Sequence, residues 1–210
     1  MHPKLVKFAT IFQALASQDD LLAQLSDLPH FQDRITLAEK KLKHLSSGSS
    51  RIIYQLPNGN VLKLAKNKKG LAQNKIEADP GMASPFINAT IDSDPEGIWK
   101  ISPFREKITE KEFQELTDIN FKDFGDALRY ALKSFSGNKE QSKPTNYEQI
   151  EKTSIFQEIT KIAKKFKVLP GDLARISSLG KADDHPIYID MGLTREIYDT
   201  YYDDASSSQS

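Results

Sequence analysis

The spacing of apolar residues changes along this chain, and each change predicts a different element. From Leu5 to Leu25, the residues Leu5, Phe8, Ile11, Phe12, Leu15, Leu22 and Leu25 recur at helical spacing, and Asp19-Asp20 predicts a break in one bent helix or two short ones. After Pro29 a second helix is predicted over residues 31–45, with Ile35, Leu37, Ala38 and Leu42 near one face, running into the flexible stretch Ser46-Ser47-Gly48-Ser49-Ser50. The period then shortens to two. Residues 51–56 and 61–65 are β-prone runs around Pro57-Asn58-Gly59-Asn60, whose Asn-Gly step favours the positive φ of a tight hairpin turn. Residues 71–78 predict a short helix stopped by Pro80-Gly81, and residues 86–91 and 97–101 predict two strands joined by a turn over 92–96. From Thr109 to Ser134 the chain reads as mainly helical, with Thr109 and Glu112 spaced as a capping box. Residues 137–146 form a polar loop. Ile155, Phe156, Ile159, Ile162, Ala163 and Phe166 mark the best amphipathic helix, with Pro170-Gly171 as its stop, and the Ser-rich residues 206–210 predict a disordered tail. A sheet in the middle and helices on either side make this an α+β chain.

Composition narrows the function classes. Hydrophobic residues are 38% and charged residues 28% of 210, a mixture that suits a folded, soluble protein. Lys plus Arg and Asp plus Glu both count 29, so no global field draws in nucleic acid or an anionic membrane. There is no cysteine, which removes disulfides, thiolate metal sites and cysteine nucleophiles and fits a reducing, cytoplasmic setting. No stretch approaches the roughly 20 apolar residues of a membrane span. The histidines at 2, 30, 44 and 185 lack metal-ligand spacing.

The candidate chemistry is phosphate and metal chemistry. Gly48, Ser49 and Ser50 lead into a strand as a small-residue turn whose backbone amides can approach phosphate oxygens. Lys63 sits between Leu62 and Leu64 on the second hairpin strand and points opposite to both. Glu77, on the following helix, can pair with it and hold its ammonium over a phosphate. Asp190 ends the apolar run Pro186-Ile187-Tyr188-Ile189 and suits a hard cation such as Mg²⁺, while Asp172 suits a hydroxyl proton or a helix cap.

Taken in order, these features resemble the protein-kinase family from about Leu42 to Thr194. Ser47-Gly48-Ser49-Ser50-Arg51 stands in the place of the glycine-rich loop, and Val61-Leu62-Lys63-Leu64 resembles the strand whose lysine contacts nucleotide phosphates. Glu77 sits where the family places that lysine's partner, and residues 98–104 fall at the adenine-holding strand and hinge. Gly171-Asp172-Leu173 resembles the catalytic loop and Asp190-Met191-Gly192 the metal-binding triplet. Their separation of 18 residues is close to that of kinases. The segments Gly-Ser-Ser-Arg, Lys-Leu-Ala-Lys-Asn, Gln-Asn-Lys-Ile-Glu and the ending Ile189 to Thr194 are similar to a group of uncharacterised phage proteins.

The resemblance implies a truncated kinase-like fold, a small antiparallel sheet lobe (46–104) plus a reduced helical lobe (105–203), with an N-terminal helical extension (1–45) and a tail (204–210). It implies ATP and Mg²⁺ between two lobes, with Gly48, Ser49, Ser50, Lys63 and Glu77 on the nucleotide, Asp190 and Ser177 on the metal, and Asp172 as base. The departures are specific. One glycine remains in the loop, Pro170-Gly171 replace the family's histidine and arginine, and Ser177 replaces an asparagine. After Gly192 come 18 residues, fewer than the usual peptide-binding platform takes. Two functions follow: a minimal ATP-dependent phosphotransferase, or a pseudokinase that binds a protein partner as a phage particle component or host-factor binder, in the host cytoplasm or the virion.

Overall fold

The structure, a computed structural model, describes residues 18–136 and 142–203. Leu5, Phe8, Ile11, Phe12 and Leu15 of the first predicted helix, residues 137–141 of the predicted loop and the predicted tail lie outside the described residues. The chain divides into two compact units, one drawn from Met1–Ala78 with Thr90–Phe104, the other from Asp79–Ala89 with Arg105–Ser210.

In the first unit a helix, α1, covers residues 18–27 and buries Leu21, Leu22 and Leu25. Asp19 and Asp20, where a break was predicted, lie in the first turn of the described helix, and the residues before it are outside the described residues. Both carboxylates are exposed and keep their solvation, and Asp20 accepts a hydrogen bond from Gln24 Nε2 at 2.7 Å, the i,i+4 pairing that supports a helix. Helix α2 (Phe31–Lys41) is shorter than predicted, because Leu42 turns extended (φ −125°) and the chain enters strand β1 (Lys43–Ser47). β1 pairs antiparallel with β2 (Arg51–Gln55), His44 opposite Tyr54. A ladder of backbone hydrogen bonds thus overrides the weak helical period of residues 42–45, and the predicted linker 46–50 becomes a strand end and a turn.

The β2–β3 hairpin forms as predicted. β3 (Val61–Ala65) pairs residue by residue with β2, and Gly59 takes φ +85° in the turn. Helix α3 (Lys68–Ala78) follows, then a 3-10 turn at Pro80–Met82. Residues 86–91 are not the predicted strand: the strand β4 falls on Asp92–Ser93, where a turn was expected, and pairs with β5 (Trp99–Ser102). The turn chemistry sits two residues later. Asp94 Oδ1 accepts the amides of Glu96 and Ile98, and Gly97 takes φ +77°. The sheet order is β1-β2-β3-β5-β4, with α3 between the third and fourth strands in sequence. Tyr54, Leu56, Leu62, Leu64, Trp99 and Ile101 pack with α1 and Ala38 of α2 into its core. Trp99 donates its indole N–H to Ser26 Oγ (2.9 Å), which donates to Asp94 (2.6 Å), tying α1 to the turn before β5.

The second unit is mainly helical. Its α4 (Glu110–Thr117) starts at the predicted capping box, with Thr109 and Glu112 bonded reciprocally. α5 (Phe121–Ala131) and the short α6 (Lys133–Ser136) and α7 (Tyr147–Ile150) lead to α8 (Ser154–Phe166). α8 buries Ile155, Phe156, Ile159, Ile162 and Ala163, and the rings of Phe113, Phe124, Phe156 and Tyr147 meet in a chain of contacts at 5.1–6.0 Å. The helix ends at Lys167, in the left-handed conformation (φ 53°), before it reaches Pro170. Pro170 instead opens a further turn, α9 (Pro170–Leu173), at the first helical position that tolerates its missing N–H. A two-stranded sheet, β6 (Leu179–Lys181) with β7 (Pro186–Tyr188), the turn α10 (Arg195–Tyr198) and a π-helical turn at Asp199–Asp203 complete the described part of the unit. Among the described residues no helix is long and apolar enough to cross a membrane.

Candidate functional site

The first unit buries a cluster of four charges on one face of its sheet. Strand alternation sets it up: Lys63 of β3 lies opposite Ile53 of β2 and Lys100 of β5, and Arg51 shares the face of Ile53 two residues away. α3 lays a stripe of Gly70, Gln73, Asn74 and Glu77 against the sheet, the i, i+3, i+4, i+7 spacing of a buried helix face. Glu77 accepts from three cations at once: Lys63 Nζ on Oε2 at 2.6 Å, Lys100 Nζ on the same oxygen at 3.1 Å, and Arg51 on Oε1 at 2.8 Å. All four side chains are at most 7% exposed. Asn74 braces the group, donating to the carbonyls of Lys63 (3.1 Å) and Gly97 (3.0 Å).

These contacts set the protonation states. Burial pushes the Glu77 carboxyl up, but the charges of Arg51, Lys63 and Lys100 outweigh it and hold the group well below the usual carboxylate range. Lys100 goes the other way. Burial lowers it, Glu77 resists, and Lys63 and Arg51 add repulsion, leaving it at about 8.

The small-residue turn is fastened onto the start of α3. Gly48 donates its amide to the Arg51 carbonyl (2.9 Å), Ser49 accepts from Asn67 through its carbonyl (3.0 Å) and from Lys69 through its hydroxyl (3.1 Å), and Ser50 donates its hydroxyl to Gln73. Gly70 allows this approach, since a Cβ there would sit 2.2 Å from the Ser50 carbonyl oxygen. Ser49 is exposed and Ser50 buried, so the exposed edge of the turn is Ser47 to Ser49, with Lys66 and Lys69 reaching its hydroxyls.

In the second unit Asp172 lies in α9, its carboxylate 3.1 Å from Arg175 and its carbonyl accepting from Ser178 Oγ at 2.9 Å. The buried Tyr188 hydroxyl donates to the Leu173 carbonyl (2.8 Å), and burial raises its ionisation far above the ordinary tyrosine range. The residue that reaches back to Asp172 is therefore Ser178, while Ser177 is exposed in the 3-10 turn Ile176–Ser178. Asp190 is exposed two residues after β7, and Met191 and Gly192 behind it are buried. Among the described residues no three His, Asp or Glu side chains gather to hold a metal. One exposed carboxylate and a neutral serine oxygen fit Mg²⁺ only as a cation that arrives with phosphate oxygens and keeps its waters, which is its common habit.

The sequence pointed to Lys63 and Glu77, which the structure brings into contact, but not to Arg51, Asn74, Lys100 or Ser178. The polar stripe at 70, 73, 74 and 77 was the available signal, since polar residues at buried-face spacing have to find partners.

No family model matches the chain, and a comparison with curated proteins finds no match. Among solved structures it is similar to a choline/ethanolamine kinase family protein from Mesorhizobium loti (12% identity, 82% of this chain and 64% of that one, TM-score 0.35). It is also similar to APH(2")-IIa in a ternary complex with streptomycin and ATP (16% identity, 79% and 73%, TM-score 0.36) and to the ADP-bound aminoglycoside phosphotransferase APH(2'')-Ib (16%, 77% and 71%, 0.36). The chain spans less than two thirds of the first of these. In the first unit three strands, a helix and two strands follow one another, and a lysine of the third strand is paired with a glutamate of the helix.

Proposed function

We propose that the chain binds a nucleoside triphosphate with Mg²⁺ in the manner of a kinase and acts as a minimal phosphotransferase. The first unit, with α1 and α2 packed on its sheet, serves the nucleotide and the second unit the acceptor. Lys63 faces the phosphates, Glu77 holds its ammonium in place, and the turn at Gly48, Ser49 and Ser50 lies along the phosphate chain. Asp190 and Ser177 face the metal, which when bound offsets the charge of the phosphate oxygens. Asp172 takes the proton of an acceptor hydroxyl. The observation that carries this reading is the 2.6 Å Lys63–Glu77 pair inside the buried cluster. A lysine whose partner is locked by two further cations is preorganised, and phosphoryl transfer depends on positioning and electrostatics more than on covalent help from the protein.

A thermal-stability scan with ATP, with and without Mg²⁺, tests the binding. A ligand at 100 times its Kd adds about 2.7 kcal/mol to the folded state, so wild type gains stability and Lys63→Met does not. Transfer from labelled ATP, compared with Asp172→Ala, tests the chemistry. A second reading, a pseudokinase that binds nucleotide or a protein partner without transfer, is favoured by one contact: Arg175 already engages the Asp172 carboxylate. ATP-dependent stabilisation without turnover selects it. Its phage setting rests on the sequence segments alone.

A further inference from the structure

Arg51 stands where two parts of the candidate site meet. It is the first residue of β2 and closes the small-residue turn, because its carbonyl accepts the Gly48 amide at 2.9 Å. Its side chain, 6% exposed, lies beside Glu77, where the two carboxylate oxygens are used differently. Oε2 takes both ammonium groups, Lys63 at 2.6 Å and Lys100 at 3.1 Å, and Oε1 takes Arg51 Nη1 at 2.8 Å. The same Nη1 lies 3.4 Å from Asn74 Oδ1, and Asn74 Nδ2 donates in turn to the carbonyls of Lys63 and Gly97. One guanidinium thus touches a carboxylate and an amide that stand at i and i+3 on α3. Charge balance alone does not call for it. Without Arg51, Glu77 is still matched by Lys63 and Lys100, and a third cation buried beside one carboxylate adds desolvation and repulsion.

What the guanidinium supplies is direction. An ammonium is a point charge on a flexible stem and follows a carboxylate through its rotations, whereas a planar guanidinium bonded to one oxygen and braced on a neighbouring amide fixes where the other oxygen points. With Oε1 held by Arg51, Oε2 is the oxygen presented to Lys63. We propose that Arg51 is a positioning residue for the phosphates: through Glu77 it aims the Lys63 ammonium, and through its own carbonyl it places the Gly48–Ser50 turn, so that the two phosphate-facing elements keep one spacing. This inference rests on the nucleotide reading of the same site, and the Lys63–Glu77 pair stays intact throughout. Because Arg51 joins only the turn and the lysine, it acts on the phosphate part of a nucleotide and not on the base.

NMR titration of the full chain, which reads strong and weak ligands alike, measures the Kd of ATP with Mg²⁺ and of adenosine. A charge-assisted hydrogen bond that loses its alignment costs about tenfold in affinity. Arg51→Gln, which leaves Glu77 matched by two ammonium groups, is expected to weaken ATP about tenfold and to leave adenosine within about twofold. Arg51→Lys is expected to weaken ATP to the same degree, because it restores the charge without the fork. Unchanged ATP affinity in both variants overturns the inference and leaves the nucleotide reading intact. So does an equal loss for ATP and adenosine, or recovery of ATP binding by the lysine. Failure of wild type to bind ATP overturns both. Should the variants fail to fold, ¹⁵N spectra of the wild-type guanidinium groups decide. An Arg51 held on Glu77 and Asn74 shows resolved, slowly rotating Nη signals before and after ATP is added, and averaging of those signals in either state refutes the proposal.

Discussion

Lys100→Met should make the protein more stable at pH 7. Removing one partner of a buried ion pair is ordinarily costly, about 3–5 kcal/mol, because the other partner is left uncompensated. Here Glu77 keeps Lys63 at 2.6 Å and Arg51 at 2.8 Å, so its charge remains matched. The lysine itself is the poorly matched member. Its ionisation falls from 10.5 to about 8. At about 1.4 kcal/mol per unit this is a penalty on the order of 3 kcal/mol for keeping it charged at neutral pH. Methionine fills a similar volume without charge, and a gain of about 1–3 kcal/mol is the expected net. The pH dependence carries the sign. Folded Lys100 sheds its proton near 8 and unfolded lysine near 10.5, so between them the unfolded state binds more protons and wild-type stability rises with pH. The variant's advantage must therefore shrink across that window and vanish above it. Urea unfolding followed by far-UV circular dichroism at pH 7 and pH 10 measures both. A loss of more than about 1 kcal/mol at pH 7, or a difference independent of pH, would refute the charge argument.

Glu77→Gln should lose about 3–5 kcal/mol at pH 7, since it strands Arg51, Lys63 and Lys100 beside one another; denaturant midpoints check this. Glu77 ionises well below the usual range, so its contribution is complete above the ordinary glutamate value and fades as pH falls further, and the gap between wild type and variant must narrow in acid. Gly70→Ala gains about 1 kcal/mol in helix propensity but places a Cβ 2.2 Å from the Ser50 carbonyl. A lower melting temperature is expected, and an unchanged one would mean that the turn is not fastened to α3. Tyr54→Phe removes a buried hydroxyl that has no hydrogen-bond partner among the described residues, so its stability should stay level or rise.

The fold was legible where a single local rule decided the outcome. Asn58-Gly59 dictated the hairpin, Thr109 with Glu112 the start of α4, and the apolar stripe from Ile155 to Phe166 the helix α8. It was illegible where the decision was made at long range. Nothing local in Lys43–Ser47 announces a strand; it is one because β2 offers it a ladder. The β4 error has the same source, with a twist: Asp92-Ser93-Asp94-Pro95-Glu96 is rich in turn formers, and the structure uses only its later half as a turn, giving the first two residues to β5.

The candidate site was half legible for a related reason. Reading a sequence for buried faces means counting apolar residues, and α3 has few of them on the face it buries. Its buried residues Gly70, Gln73, Asn74 and Glu77 keep the seven-residue stripe of a core helix, yet three are polar. Glu77 was found only because Lys63 suggested a partner for it. Arg51 and Lys100 were missed because each sits on a strand where an isolated cation reads as a solvated face, and only the register, Lys63 opposite Lys100 and Ala65 opposite Arg51, places them around one carboxylate. The physical lesson is one of demand. Buried polar groups must be matched, so a helix with polar residues at buried spacing predicts complementary charges on the sheet it covers. Searching β2, β3 and β5 for three such cations, rather than searching the chain for one lysine, is the reading that would have assembled the whole cluster from sequence.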